Sequence, residues 1–94
     1  MKLSERDFMA QVVALSKLFS WEVYHTQFSI RSARGWPDLA LCRPPRLILA
    51  ELKSDTGKLT SAQQRWLGLL GQCPGVEVFT WRPSDWPTIE DVLR

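Results

Sequence analysis

The segment 34-RGWPDLALCRPPRLILAELKSD-55 decides how this chain folds. It holds two short apolar runs around a Pro-Pro turn. An acid, Asp38, opens the first run, and Glu51 and Lys53 close the second. The runs are joined too tightly for anything but an antiparallel hairpin. With the loop at 43-RPPR-46, Cys42 faces Leu47, Ala40 faces Leu49 and Asp38 faces Glu51. Directly opposed residues share a face, with Cβ atoms about 5 Å apart. Lys53, two residues past Glu51, points the same way. Three ionisable groups then project from one patch. A register error of one residue would send Asp38 and Glu51 to opposite faces.

Around this hairpin the chain reads as one domain, 1–94. Segment 4-SERDFMAQVVALSKLF-19 has helical period, with Phe8, Val12, Leu15 and Phe19 in one row. Ser4 is its N-cap, and Asp7 sits at N3 as a weak capping box. The stretch 21-WEVYHT-26 reads as a strand, followed by a polar loop over 27–35. After the turn 54-SDTGK-58, Thr60 and Gln63 form a T-x-x-Q capping box that opens a helix through Leu70, with Gly71 as its C-cap. Then 76-VEVFTW-81 is a strand, and 84-SDWPTIEDVL-93 ends in a short helix. The order is α-β-β-β-α-β-α. The crossover helix makes the third and fourth strands parallel, with a right-handed connection. The expected fold is α/β, a small mixed sheet flanked by helices.

Composition sets the outer bounds. Ninety-four residues suffice for a single core. At 45% hydrophobic and 23% charged the chain has an ordinary globular composition, and a net charge of +2 argues only weakly for a nucleic-acid partner. The two cysteines, Cys42 and Cys73, lack any zinc-type spacing and read as buried free thiols. No apolar run is long enough to span a membrane, and the N-terminus has no signal-peptide core, so the expected location is the cytosol.

Two facing carboxylates repel unless one is protonated or a cation lies between them. Carboxylate oxygens suit Mg²⁺ or Mn²⁺, which keep several waters and take phosphate oxygens as further ligands. Such an ion polarises a phosphodiester and lowers the pKa of bound water. Lys53, beside two carboxylates, is expected to hold its charge and to orient the attacking water or stabilise charge developing on phosphorus. E-x-K by itself also fits a simple ion pair at a sheet edge. G-x-P-D on the partner strand shifts the balance: Gly35 permits a sharp turn, and Pro37 fixes the backbone where Asp38 must be delivered.

G-W-P-D-L at 35–39, A-E-L-K at 50–53, G-K-L-T at 57–60 and Q-Q-R-W-L at 63–67, in this order, resemble the VRR-Nuc family of the PD-(D/E)XK nuclease superfamily. The resemblance runs from about Glu5 to Trp81. It implies an α-β-β-β-α-β restriction-endonuclease-like core, a Mg²⁺ or Mn²⁺ cofactor and phosphodiester hydrolysis. It implies Asp38 and Glu51 as metal ligands with the Leu52 backbone carbonyl, and Lys53 as catalytic lysine. The superfamily often adds an acid from the first helix. Here that is Glu5, which otherwise serves as a first-turn acid favoured by the helix dipole. Stand-alone members are typical of phages and prophages, and for them the resemblance points to a homodimeric endonuclease acting on branched DNA such as Holliday junctions. The competing readings are a catalytically weak DNA-binding module, a nuclease of single-stranded or flap DNA, and a plain interaction domain.

Other residues have two readings each. Gln63 either completes its capping box or also reaches the site. His25 is either structural or a phosphate contact. Arg31, Arg34, Arg43, Arg46, Lys58 and Arg65 are surface charges singly and, as a set, DNA-phosphate contacts. Trp36 either stacks on a base or packs in a core or dimer contact, and Trp66, Phe79 and Trp81 read as core. Five tryptophans exceed what one small core needs, which leaves Trp21, Trp36 and Trp86 for a dimer interface.

Overall fold

A computed structural model of the chain describes residues 3–27 and 32–94. Its elements are α1 (Glu5–Leu18), β1 (Glu22–His25), β2 (Leu39–Arg43), β3 (Arg46–Leu52), α2 (Ser61–Leu70), β4 (Val76–Trp81), a 3₁₀ turn (Pro83–Asp85) and α3 (Trp86–Leu93). The four strands lie in sequence order in one sheet. β1–β2 and β2–β3 are antiparallel, and β3–β4 is parallel. This is the small mixed α/β sheet expected from the sequence.

The Pro-Pro turn sets the register as read. Cys42 pairs with Leu47 and Ala40 with Leu49. The Pro44–Pro45 peptide bond is cis. Alternation then divides the sheet into two faces. Leu39, Leu41, Ile48, Ala50, Leu52 and Trp81 point to one side, where Phe8 and Val12 of α1 and Ile89 and Leu93 of α3 close over them. Each fully buried side chain of this size contributes about 1.5–3 kcal/mol. α1 begins as expected, with Ser4 Oγ accepting from Asp7 N–H at 3.0 Å. Ser16, buried in the same helix, donates its hydroxyl to the Val12 carbonyl at 2.8 Å, so its polar group is satisfied.

α2 lies on the other face and buries none of its residues fully. That cover is partial, which corrects two expectations. Cys42 and Cys73 are exposed free thiols rather than buried ones. Tyr24, Leu47 and Leu69 are exposed as well. Trp21, in contrast, is not spare: it is a core residue whose Nε1 donates to the Leu93 carbonyl at 2.9 Å. Trp86 packs partly against the same core. No helix among the described residues is long and apolar enough to cross a membrane.

Candidate active site

Continuing the β2–β3 ladder one step past Leu39–Ala50 sets Asp38 opposite Glu51. In a hairpin with a two-residue loop, Arg43 and Arg46 form a hydrogen-bonded pair, and the pair types alternate from there. Position 38/51 is then a non-hydrogen-bonded pair, the type in which side chains stand closest. Position 37/52 is a hydrogen-bonded one. There Pro37 has no N–H to give, so the Leu52 carbonyl receives no ladder donor. The Leu52 N–H donates instead to Asp38 Oδ2 at 2.8 Å. The Pro37 carbonyl is taken by Thr26 Oγ1 at 2.7 Å, and Thr26 N–H donates to the Asp38 carbonyl at 2.9 Å. One proline thus frees a backbone oxygen beside two carboxylates.

Glu51 is 2% exposed. Its pKa is raised from the ordinary 4.5 to about 8, first by burial, then by a hydrogen bond to Asp38 and by the Asp38 charge. Lys53 pulls in the opposite direction, and the Glu5 charge pushes the same way as Asp38. Glu51 therefore feels three charged neighbours. Gln63 closes the site from α2. Its Oε1 accepts from Thr60 N–H at 2.9 Å and its N–H donates to Thr60 Oγ1 at 3.1 Å, a complete capping box. With Oε1 held by the cap, Nε2 is left to donate to Glu51 Oε2 at 3.3 Å. Gln63 thus completes its cap and touches Glu51 at once.

Gly35 sets this geometry. Its φ is +91°, and a Cβ there would lie 2.4 Å from the Ala62 carbonyl carbon and 2.7 Å from Gln63 N. The turn before Asp38 is pressed against the backbone of α2 at the residue that holds Glu51. Gly35→Ala is expected to force α2 outward, lowering thermal stability by about 2 kcal/mol or more and breaking the Gln63–Glu51 bond. A thermal melt indistinguishable from wild type would contradict this packing.

A cleft of about 270 Å³ opens on the α1 side, lined by Glu5, Arg6, Met9, His25, Asp38 and Leu52. It brings Glu5 and His25 to the site, together with Arg6, which no sequence motif singles out. A second such residue is Arg82. Its guanidinium donates to the carbonyls of Ser54 and Gly57, both at 2.6 Å, and pins the turn that follows Lys53. The parallel register Leu52–Trp81 places residue 82 beside residue 53, which is the signal that could have found it.

The cationic set divides. Lys58 precedes α2, Arg65 lies on it, Arg34 lies in the turn before Asp38, and all three are exposed. Arg43 and Arg46 sit at the opposite end of the hairpin and have other tasks. Arg43 donates to the carbonyls of Phe19, Leu93 and Arg94, and lies over the Trp21 ring at 4.5 Å. Arg46 pairs with Glu77 at 2.7 Å and donates to the Val92 carbonyl. These two hold helix ends and β4 in place, and the structure does not bring them to the site. Arg31 lies outside the described residues.

Among the described residues no three His, Cys, Asp or Glu side chains form a ready-made metal cage. The donor set is still a fit for a hard cation. Two carboxylates stand close enough to raise the Glu51 pKa, and a carbonyl that receives no ladder donor lies beside them. Mg²⁺ is commonly held by one or two carboxylates, with water and phosphate completing its shell.

The sequence matches no protein-family model and no curated protein. Among solved structures, one described as "VRR_NUC domain protein" superposes with a TM-score of 0.75 at 19% identity, covering 99% of this chain and 87% of that chain. The fold is that of a VRR_NUC domain protein. The likeness spans 99% of the chain, and it agrees with the fold that G-W-P-D-L, A-E-L-K, G-K-L-T and Q-Q-R-W-L imply.

Proposed function

We propose that this chain is a VRR-Nuc-type, divalent-metal-dependent endodeoxyribonuclease that hydrolyses phosphodiesters in branched DNA such as Holliday junctions. The observation that carries the reading is the buried Glu51 set against Asp38 and raised to about 8, beside Lys53 and the Leu52 carbonyl. A chain seldom keeps such a destabilised pair unless a ligand resolves it. Asp38, Glu51 and the Leu52 carbonyl would hold the Mg²⁺ or Mn²⁺, with Glu5 across the cleft. The ion supplies polarisation of the phosphodiester and acidification of water. Gln63 keeps the Glu51 carboxylate in place. Lys53 orients the attacking water and offsets negative charge at phosphorus as the P–O bond to the sugar breaks. Arg6, His25, Arg34, Lys58 and Arg65 hold neighbouring phosphates. The test is cleavage of four-way, flap, single-stranded and linear DNA with and without Mn²⁺. Mn²⁺-dependent cutting supports the reading, and binding without cutting would leave only a DNA-binding module.

Two symmetric cuts at a junction need two sites, and a C₂ homodimer supplies them. Tyr24, Cys42 and Leu47 share the sheet face that α2 leaves open and offer apolar surface for a second copy. Sedimentation equilibrium at micromolar concentration should return twice the chain mass, and a 10.8 kDa species would defeat the dimer. Four-way junctions should be cut faster than linear duplex. The location that goes with this role is the cytoplasm of a bacterial host, with the gene carried by a phage or prophage.

A further inference from the structure

We propose that Trp36 is a stacking platform for a base that leaves the duplex stack beside the cut, as one can at the branch point of a junction or a fork. The inference rests on the nuclease reading above and names what its substrate presents. Trp36 stands two residues before Asp38, between Gly35, locked against α2, and the buried Pro37. Trp66 stands one helical turn past Gln63, the residue that holds Glu51. The two indoles meet at a centroid distance of 5.0 Å and an interplanar angle of 80°. The Arg65 guanidinium lies 6.0 Å over the Trp66 ring. Trp66 is therefore engaged by both neighbours, while Trp36 remains 37% exposed. Neither indole belongs to the core cluster on the other side of the sheet.

The surroundings suit a nucleotide. Arg34 lies two residues before Trp36, Arg65 flanks it through Trp66, and Lys58 lies just before α2. Among the described residues the ion pair is Arg46–Glu77, so these cations are not neutralised by one. An exposed aromatic with exposed cations on its own turn and on the neighbouring helix suits single-stranded nucleic acid, with stacking for the base and charge for the backbone. A base inside a duplex has both faces covered and cannot use it. A rigid backbone on either side of Trp36 means that little order has to be imposed on binding.

The test compares wild type, Trp36→Ala and Trp36→Phe on a forked duplex carrying 2-aminopurine at the first unpaired position, and on the fully paired linear duplex, in EDTA. Trp36→Ala should weaken fork binding about tenfold, leave linear-duplex binding unchanged and abolish the quenching of 2-aminopurine that wild type produces. Trp36→Phe, which keeps a smaller ring, should retain most of both, and it guards against misfolding of the alanine variant. Equal losses on fork and linear DNA, or none on either, would overturn the proposal. A fall of Trp36→Phe or Trp36→Ala to half the wild-type mass in sedimentation would make Trp36 an interface residue instead. These binding readings stand apart from cleavage. If wild type cuts nothing with Mn²⁺ while Trp36→Ala loses the fork, the nuclease reading fails and the platform stands. If wild type cuts and Trp36→Ala binds the fork as wild type does, the platform fails alone.

Discussion

Asp38→Asn, Glu51→Gln and Lys53→Ala are each expected to lower DNA cleavage by about 10²–10⁴-fold with the fold intact. The three do different things, so their secondary signatures differ. Asp38 and Glu51 supply charged oxygens, and either substitution should weaken Mn²⁺ binding in titration calorimetry. Lys53 neutralises charge without touching the ion, so Lys53→Ala should bind Mn²⁺ as well as or better than wild type. Wild-type cleavage in any of the three would sink the site assignment. Glu5→Gln asks a narrower question. Glu5 is exposed, yet its charge reaches Glu51. A clear loss of activity places it in the site, and none leaves it as a residue that complements the α1 dipole.

The hairpin is legible in the sequence because its signals are local. Two apolar runs of fixed length, a two-residue Pro-Pro turn and charges at matching distances determine a register, and register alone sets Asp38 against Glu51. The Thr60–Gln63 cap is legible for the same reason. What escapes depends on elements distant in sequence. Arg43 looks like a surface cation until the last carbonyls of α1 and α3 arrive beside it. Trp21 looks surplus until Leu93 gives its indole a partner and two arginines cover its ring. Cys42 belongs to a strand pattern that predicts burial, but α2 is short and leaves its end of that sheet face open. Arg6 and Arg82 escape because each acts where separate elements converge, at the α1 cleft and at the turn after Lys53.

In the metal-free protein, Glu51→Gln is expected to be more stable than wild type, and the gap should grow with pH. Glu51 binds its proton more tightly folded than unfolded, with a pKa of about 8 against 4.5. Between those values the native state holds more protons than the unfolded state. The slope of unfolding free energy with pH is therefore negative in that window. Below pH 4.5 both states are protonated and the group has no effect on pH dependence. From there up to about pH 8 wild type loses stability, and above it the loss is complete. A tenfold change in proton affinity on folding corresponds to about 1.4 kcal/mol, and interaction with Asp38 shares that cost between two groups, so a loss of about 2–4 kcal/mol is reasonable. For a domain this small, that is about 10 °C or more in melting temperature. The amide introduced by Glu51→Gln would carry no such titration and would still accept from Gln63. Melting curves in EDTA at pH 5, 7 and 9 should thus nearly coincide for the two proteins at pH 5 and separate at pH 9, with wild type lower. Adding Mn²⁺ at pH 8 should reverse the order, since an ion between Asp38 and Glu51 favours the ionised pair in wild type and finds one carboxylate fewer in the variant. Parallel curves at all three pH values would mean that Glu51 ionises freely, and the case for a cation in this site would lose its electrostatic basis.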